Sequence, residues 1–238
     1  MFRALLARIP PALDRVGGVC AVCHRWPAAP VCETCVSRFG APRYRCATCA
    51  VALPQELTRC GACLADPPPL DRCLCAVDYV WPWIGCIARF KFEDEPGWAP
   101  ALVALLRSTP WVEPELEQAD WLIPMPLSRG RLAERGYNQA LLLAQALDAR
   151  RTRADLLLRI RETTPQSHLS RAERLRNLRG VLALEPNQAE SVRDRHVVLV
   201  DDVMTSGASL HAAARVLREA GARRIAALVV ARTPAESH

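Results

Sequence analysis

The stretch His196-Val-Val-Leu-Val-Asp-Asp-Val-Met-Thr-Ser-Gly-Ala-Ser209 decides how the fold of this chain is predicted. Its apolar run, Val197 to Val200, is typical of a parallel strand that is covered on both faces. Asp201 and Asp202 are expected where that strand ends. The small, hydroxyl-bearing turn from Thr205 to Ser209 is expected to open a helix, whose N-terminus favours a bound phosphate. Carboxylates and phosphate-binding groups therefore converge on one edge of the predicted sheet.

Two interpretations of this segment are open. Any strand-to-helix turn can carry Asp as a helix cap and Ser or Thr as local backbone partners, without a ligand. The segment also resembles the 5-phosphoribosyl-1-pyrophosphate (PRPP) loop of type I phosphoribosyltransferases. That resemblance implies that Asp201 and Asp202 hold the ribose hydroxyls and act in catalysis. It also implies a site for the 5-phosphate formed by Thr205, Ser206, Gly207, Ala208 and Ser209.

Strand and helix patterns alternate along the rest of the chain. Continuous apolar runs predict strands, and apolar residues three or four positions apart predict helices. The alternation predicts an α/β fold with a mostly parallel sheet, which the resemblance identifies as the type I phosphoribosyltransferase kind. Ligands of such sheets bind beyond the carboxyl ends of the strands. The predicted strands are residues 77–81, 120–124, 156–158, 197–200 and 225–231, and the predicted helices are residues 97–107, 131–149 and 210–220.

Length and composition favour a soluble globular protein with a sizeable core, since half of the 238 residues are hydrophobic. The formal charge of +6 comes almost wholly from arginine, because Lys91 is the only lysine. That excess suits an anionic ligand or nucleic acid, and it equally suits a bias in genome composition. Arg8, Pro10 and Pro11 interrupt the first apolar stretch. No run of about 18 apolar residues occurs, so we expect no signal peptide, no membrane span and a cytoplasmic location.

Eight of the eleven cysteines form four CxxC pairs. Two such pairs can together bind one tetrahedral zinc ion, so four pairs can make two structural sites. Disulfides would need an oxidising compartment, and a redox CxxC motif would not be repeated four times. Sequential pairing joins the first pair with the second, interleaved pairing joins the first with the third, and the spacing leaves both open. The predicted zinc ligands are Cys20, Cys23, Cys32, Cys35, Cys46, Cys49, Cys60 and Cys63.

Three segments are predicted along the chain. Residues 1–16 are expected to form an N-terminal helix. Residues 17–69 contain the cysteine-rich zinc module and the stiff run Asp66-Pro-Pro-Pro69, and this stretch has too few aliphatic residues to fold without metal. Residues 70–238 are expected to form the phosphoribosyltransferase-like domain. Cys73, Cys75 and Cys86 lie outside the CxxC pattern and are predicted to be buried free thiols.

A second basic loop follows the predicted strand at residues 120–124. In type I phosphoribosyltransferases the loop after the first core strand holds the pyrophosphate, which guanidinium groups suit well. The alternative is an arginine-rich, solvated helix start without a ligand. The resemblance implies that the pyrophosphate contacts come from Leu127, Ser128, Arg129 and Arg131.

The polar segment from residue 161 to residue 179 matches the position of a mobile flap in the same enzymes. Such a flap closes over PRPP and excludes water during the reaction. An exposed helix with solvated arginines, or a nucleic-acid-binding surface, is an equally favoured interpretation. On closure, the residues that would contact pyrophosphate are Thr163, Thr164, Gln166, Arg171 and Arg174.

The chain as a whole resembles the ComF family, whose members join a cysteine-rich zinc module to a phosphoribosyltransferase-like domain and are linked to DNA uptake in natural competence. The resemblance covers nearly the whole chain and rests on the combination of several short motifs. These are the four CxxC pairs, residues 87–92, 124–126, 131–139 and 164–177, and the acid-pair segment. Ser206 stands where many relatives have Thr, and Tyr137 stands where Phe is common. The hydroxyl at position 206 is retained, so the expected phosphate site is unchanged.

The family resemblance implies an Mg²⁺-dependent glycosyltransferase that displaces pyrophosphate from the anomeric carbon of PRPP with an unidentified nucleophile. The alternative is a non-catalytic PRPP-sensing or single-stranded DNA-binding component of the DNA-import machinery. Single-stranded DNA would need stacking aromatic residues beside basic ones, although core packing explains most of these aromatic residues more simply. Lys91 is expected on a surface strand, with a position in the ligand cleft as the alternative. The candidate DNA contacts are Trp81, Trp83, Arg89, Phe90, Lys91 and Phe92.

Overall fold

A computed structural model of the chain describes residues 18–161 and 180–235. The N-terminal helix expected at residues 1–16 lies outside the described residues. The same is true of the flap residues Thr163, Thr164, Gln166, Arg171 and Arg174. Both expectations stay predictions.

The centre of the described fold is a four-stranded parallel sheet. Its strands are β1 (Arg72–Asp78), β2 (Trp121–Pro124), β5 (His196–Met204) and β6 (Arg224–Arg232), and they are arranged in the order β1, β6, β5, β2. All three strand pairs run parallel, so the carboxyl ends of the strands lie along one edge. The expected α/β fold with a mostly parallel sheet is confirmed. Two short strands, β3 (Leu157–Arg159) and β4 (Leu182–Leu184), form a separate antiparallel pair.

Helices connect and cover these strands. The helices α1 (Glu33–Phe39) and α2 (Gly61–Ala65) lie in the cysteine-rich region. The helices α3 (Trp83–Phe92), α4 (Ala99–Arg107) and α5 (Val112–Gln118) lie between β1 and β2. The helices α6 (Arg129–Arg135) and α7 (Gln139–Asp148) follow β2, and α8 (Ala208–Glu219) joins β5 to β6. Each described helix is too short or too polar to cross a lipid bilayer.

The apolar run of β5 is buried on both faces of the sheet, as its sequence predicts. Side chains alternate between the faces of a strand. Val197 and Leu199 pack in the core cluster that includes α8, and Val198 and Val200 pack in the cluster that includes α4 and most of α7. All four side chains are inaccessible to solvent. Helix packing on both faces thus holds β5 rigidly in the middle of the sheet.

Four sequence-based expectations about the elements were wrong in detail. The first strand covers Arg72–Asp78 rather than residues 77–81. The acids Asp201 and Asp202 lie inside β5, because the ladder with β6 continues through Met204. The strand expected at residues 156–158 belongs to the separate β3–β4 pair. The helix expected at residues 131–149 is two helices, since Gly136 adopts a left-handed conformation with φ of 71° that ends α6.

The cysteine-rich region packs against the sheet. Cys46, Cys49 and Cys63 share a core cluster with residues of β5, β6 and α8. Cys20, Cys32 and Cys35 form a smaller cluster of their own, which Phe39 also contacts. The backbone N–H of Cys73 in β1 donates to the carbonyl of Ala47, 2.7 Å away, inside the third CxxC turn. The domain boundary expected between residues 69 and 70 stays a prediction.

Candidate functional site

A cleft of about 250 Å³ opens at the carboxyl edge of the parallel sheet. The ends of β2 and β5, the last turn of α3 and the start of α8 surround it. Its lining is mostly polar and carries several cationic groups, as expected for the site of an anionic ligand. The residues that line the cleft are Lys91, Met125, Pro126, Leu127, Arg131, Arg135, Asn138, Gln139, Ala140, Arg159, Asp201, Asp202, Val203, Thr205 and Ser209.

The two acids of β5 have different surroundings because neighbouring residues of a strand point to opposite faces. Asp202 is largely buried, and its Oδ1 lies 2.9 Å from Nζ of Lys91. The same oxygen accepts a hydrogen bond from the Val203 backbone N–H at 2.6 Å. Asp201 accepts the backbone N–H of Asp202 at 2.9 Å. Asp202 therefore has a cationic partner, whereas the hydrogen bond that Asp201 accepts among the described residues comes from a backbone N–H.

This difference changes the acidity of Asp201. Burial and the neighbouring Asp202 carboxylate raise the pKa of Asp201 to about 7, against the opposing effect of Lys91. Two neighbouring carboxyl groups that repel each other do not both ionise easily unless a cation compensates their charge. Asp201 thus exchanges its proton near neutral pH, and a cation in the cleft would favour its ionised form.

Lys91 reaches Asp202 because the end of α3 is fixed by residues at the junction of α6 and α7. The hydroxyl of Tyr137 donates to the carbonyl of Phe90. The side-chain amide of Gln139, which is buried, donates to the carbonyl of Lys91 at 3.5 Å. Asn138 caps α7 by accepting the Leu141 N–H, and it donates to the Met125 carbonyl. The motif at residues 131–139 therefore joins α3 to the loop after β2.

The turn after β5 has the conformation that its sequence predicts. Gly207 has a φ of 80° and precedes the first residue of α8. A Cβ atom at this position would lie 2.4 Å from Cε of Met204 and 2.9 Å from Nε2 of His211, so a side chain here would displace these groups and would also strain the backbone at its positive φ. Thr205 and Ser209 line the cleft. The Ser206 hydroxyl instead accepts the Ala208 N–H at 3.4 Å, and Ala208 is buried.

The loop after β2 reaches the cleft with only some of its expected residues. Leu127 and Arg131 line the cleft. The Ser128 hydroxyl caps α6 by accepting the Arg131 N–H at 3.3 Å. Arg129 is exposed and does not line the cleft. Arg131 is thus the cationic group that this loop presents.

Sequence reasoning did not select two further arginines that line the cleft. Arg135, near the end of α6, donates to the Gln139 side chain at 3.3 Å and stacks over the Phe92 ring with its guanidinium carbon 5.0 Å from the ring centre. Arg159 reaches the cleft from β3. Arg135 lies in the family-like motif at residues 131–139, which was the signal available for it. Arg159 has no such signal, because the β3–β4 pair was not predicted.

Lys91 does not lie on the surface strand that was expected for it. The preferred position was a surface strand, but Lys91 lies in α3 and faces the cleft. The proposed DNA-stacking set is also divided: Trp83 and Phe90 are buried, while Trp81 and Phe92 are exposed. Arg89 pairs with Glu95 rather than joining a common basic surface. The described residues of this set therefore do not form one stacking surface.

The eight CxxC cysteines form two groups in the structure. Within each group all four Sγ atoms lie within 4.8 Å of one another. In the first group, Sγ of Cys23 lies 3.6 Å from Sγ of Cys32, and in the second, Sγ of Cys49 lies 3.7 Å from Sγ of Cys60. Four sulfur ligands on a tetrahedral zinc ion lie about 3.8 Å apart, so both groups fit this metal. Pairing is sequential: tetrad A is Cys20, Cys23, Cys32 and Cys35, and tetrad B is Cys46, Cys49, Cys60 and Cys63.

Close packing of the thiols changes their acidity in both tetrads. Burial alone would raise the pKa of Cys20 and of Cys46, but hydrogen bonds from backbone N–H groups outweigh it and lower both values to about 6. Burial, together with neighbouring thiols, raises the pKa of Cys35 to about 12. Each tetrad thus contains at least one sulfur that is readily a thiolate, the form that binds zinc.

Comparison with known proteins shows which family the chain belongs to. A family profile described as phosphoribosyl transferase domain matches residues 133–237. The chain is 32% identical over 233 residues to the DNA utilization protein YhgH of Escherichia coli O6:H1, covering 92% of this chain and 98% of that protein. It is 32% identical over 202 residues to competence protein F of Haemophilus influenzae, covering 82% and 87% of the two chains. It is 38% identical over 136 residues to competence protein ComFC of Bacillus subtilis, covering 57% and 53%. With this similarity along nearly its whole length, the chain belongs to the ComF family and contains a phosphoribosyltransferase domain.

Proposed function

We propose that the chain binds PRPP with Mg²⁺ in the cleft at the carboxyl edge of the sheet and transfers its phosphoribosyl group to a nucleophile. One observation carries this proposal. Asp201, Asp202, Thr205 and Ser209 line the same cleft as Arg131, so groups for a ribose, a phosphate and a pyrophosphate lie together. The match of residues 133–237 to the phosphoribosyl transferase domain profile supports this proposal.

Under this proposal the 5-phosphate lies against the turn at residues 205–209. Thr205 and Ser209 offer hydroxyl groups, and the first turn of α8 offers a helix N-terminus, which favours a phosphate. Gly207 allows the turn to close tightly because it carries no Cβ. The ribose hydroxyls then face Asp201 and Asp202.

The reaction replaces the bond between the anomeric carbon and pyrophosphate by a bond to the nucleophile. Positive charge develops on the ribose in an oxocarbenium-like transition state, and the two carboxylates stabilise it. Arg131 and Arg135 stabilise the negative charge on the departing pyrophosphate. The carboxylates of Asp201 and Asp202 would help to hold Mg²⁺, which would supply positive charge to offset the negative charge of the leaving group. Flap residues Thr164, Gln166, Arg171 and Arg174 are proposed to complete the pyrophosphate contacts.

Binding measurements with PRPP and Mg²⁺ test the proposal. The double variant Asp201→Asn/Asp202→Asn keeps side-chain size and removes both carboxylates. We expect PRPP affinity to fall at least about tenfold, since a hydrogen bond to a charged group contributes roughly 1.5–3 kcal/mol. The control is Asp155→Asn, an exposed acid that pairs with Arg153 outside the cleft lining. Equal PRPP affinity in the double variant and the wild type would refute the site.

Turnover needs its own assay. A panel of nucleobases and amines is incubated with the protein, PRPP and Mg²⁺, and pyrophosphate release is followed. Release that depends on one acceptor and is lost in Asp201→Asn/Asp202→Asn establishes transfer. PRPP binding without release across the panel favours the second candidate function, a PRPP-sensing protein without turnover.

We place this activity in DNA uptake or utilization, because the relatives carry the names DNA utilization protein and competence protein. A cytoplasmic location and contacts with single-stranded DNA or DNA-import proteins belong to the same proposal. DNA binding is tested with labelled oligonucleotides at several salt concentrations. A basic site should lose affinity steeply as salt rises. Binding that is absent or unaffected by salt would remove DNA from the proposed partners.

A further inference from the structure

Arg232, the last residue of β6, connects tetrad B to the turn at residues 205–209. Its Nε donates to the carbonyl of Cys49, a member of tetrad B, at 2.9 Å. Its Nη1 donates to the carbonyls of Met204, at 3.2 Å, and of Thr205. One guanidinium group therefore binds backbone carbonyls of the CxxC turn at residues 46–49 and of the turn at residues 205–209, which is called the phosphate turn below.

A second set of contacts joins the same two parts of the fold. The thiol of Cys73 donates to Sδ of Met204 at 3.6 Å, and the Cys73 backbone N–H donates to the carbonyl of Ala47 in the tetrad B turn. The methyl carbon of Met204 in turn fills the space beside Cα of Gly207. Met204 thus lies directly between tetrad B and the phosphate turn.

Tetrad A has no corresponding contact among the described residues. It packs near α3, where the indole N–H of Trp83 donates to the carbonyl of Phe39 at 2.8 Å. Among the described residues, the hydrogen bonds of its cysteines stay within residues 20–36. Tetrad A is therefore the natural comparison for a test of tetrad B.

We infer that Arg232 is a positioning residue through which metal binding at tetrad B sets the affinity of the turn at residues 205–209 for a phosphate monoester. The inference rests on the proposed function and adds its regulation. Small cysteine-rich segments take their fold from the bound metal. Metal at tetrad B fixes the Cys49 carbonyl, and the fixed carbonyl holds Arg232 against Met204 and Thr205. Without the metal, that acceptor is released and the turn is less well ordered for its ligand.

Two probes separate the phosphate turn from the rest of the cleft. Ribose 5-phosphate reports the turn at residues 205–209, and inorganic pyrophosphate reports the side of Arg131. We measure the affinity of each probe in wild type and in Arg232→Gln. We expect ribose 5-phosphate to bind at least about fivefold more weakly to the variant, while pyrophosphate affinity stays within about twofold. The matched control is Arg218→Gln, which removes contacts with the Ala222 and Arg223 carbonyls and with Asp71 at the other end of β6.

The role of the metal is tested with one cysteine variant in each tetrad. Cys63→Ser in tetrad B should lower zinc content by one ion and weaken ribose 5-phosphate binding by a factor similar to that of Arg232→Gln. Cys23→Ser in tetrad A should lower zinc content equally and leave ribose 5-phosphate affinity within about twofold of wild type. The double variant Arg232→Gln/Cys63→Ser should bind ribose 5-phosphate about as tightly as whichever single variant binds it more weakly. Both changes break the same connection, so their effects should not add.

Three results would overturn the inference: unchanged ribose 5-phosphate affinity in Arg232→Gln, unchanged affinity in a zinc-depleted Cys63→Ser protein, or fully additive losses in the double variant. If Arg232→Gln does not fold, Arg232→Lys is used, which keeps the charge and loses the forked donors.

Hydrogen exchange provides a readout without ligand. Amides of residues 204–209 should lose protection in Cys63→Ser and not in Cys23→Ser. If wild type binds neither probe, the proposed function fails, whereas the exchange pattern still decides the connection itself.

Discussion

Nζ of Lys91 lies 2.9 Å from Oδ1 of Asp202, and both side chains are mostly buried. The only lysine of the chain therefore neutralises Asp202, while Asp201 forms no ion pair within residues 18–161 and 180–235. A sugar hydroxyl or a metal ion entering the cleft would compete with Lys91 for Asp202. The pair is thus both a structural contact and a part of the proposed ligand site.

Lys91→Met should lower the free energy of unfolding by about 1–3 kcal/mol, because it leaves the buried Asp202 carboxylate without its charged partner. Urea unfolding at neutral pH measures this. Lys91→Met/Asp202→Asn should regain part of the loss, since the uncompensated charge is gone. Arg89→Met is the control on the same helix, where the exposed pair with Glu95 contributes at most about 1 kcal/mol. Equal effects of Lys91→Met and Arg89→Met would contradict the prediction.

Asp201→Asn should change how stability depends on pH. Burial and Asp202 raise the pKa of Asp201 from the ordinary 3.8 to about 7, so between these values the native state holds a proton that the unfolded chain has lost. This group therefore costs stability increasingly as pH rises from about 4 to 7. Asp201→Asn removes that cost, so its stability relative to wild type should rise across this range by up to about 4 kcal/mol, at about 1.4 kcal/mol per pKa unit, and then level off. Unfolding free energies at pH 4, 5.5, 7 and 8 measure the difference.

Asp155→Asn provides a control of opposite sign for this measurement. The hydrogen bond from Arg153 lowers the pKa of Asp155, so its ionised form favours the native state above the ordinary pKa. The variant should be slightly less stable than wild type by a nearly constant amount from pH 4 to 8, because the contribution of Asp155 is lost only as pH falls below this range. A difference between Asp201→Asn and wild type that is flat with pH would show that Asp201 titrates normally.

Gly207→Ala should weaken phosphate binding and destabilise the fold. A residue with a side chain is strained at a φ of 80°, and its Cβ would meet Met204 and His211. We expect a loss of about 1–3 kcal/mol in unfolding free energy and a clear loss of ribose 5-phosphate affinity. Gly85→Ala, in α3 with no heavy atom within 4 Å of the new Cβ, is the control and should be neutral or slightly stabilising. Unimpaired ribose 5-phosphate binding in Gly207→Ala would separate this turn from the phosphate site.

The protein should bind two zinc ions per chain, because each tetrad supplies four sulfur ligands. Elemental analysis of purified protein measures the ratio. Cys35→Ser and Cys60→Ser should each reduce it by one, and a protein with both changes should bind none tightly. A single zinc ion in wild type, or loss of both ions from one substitution, would contradict two independent sites.

The sequence was sufficient for the centre of the fold because β5 and β6 are continuous apolar runs that have no other stable position than a covered parallel sheet. The turn at residues 205–209 could be predicted for a similar reason, since Gly207 is the residue type that its backbone requires. The break at Gly136 could not, because a single glycine within a helical pattern is often tolerated. There, Asn138 starts a new helix by capping it, and this local hydrogen bond outweighs the apolar periodicity.

The remaining differences concern contacts between residues far apart in the chain. Pairing of the CxxC turns depends on how the chain folds back, so spacing alone left both arrangements open. Lys91 was expected on a surface strand, whereas Tyr137 and Gln139 hold the end of its helix so that Lys91 reaches Asp202. Arg232 gave no signal in the sequence, since its partners are backbone carbonyls of Cys49, Met204 and Thr205.

Cys73, Cys75 and Cys86 are enclosed by the core, and burial raises the pKa of all three, to about 12 for Cys75. A protonated, enclosed sulfur reacts slowly with alkylating reagents. In the folded protein, the thiols that iodoacetamide modifies should therefore come from the tetrads, and a metal ion would shield those as well. Mass spectrometry of alkylated protein can consequently show which tetrad has lost its metal ion. The three core cysteines should stay unmodified, and their modification would show that the core has unfolded.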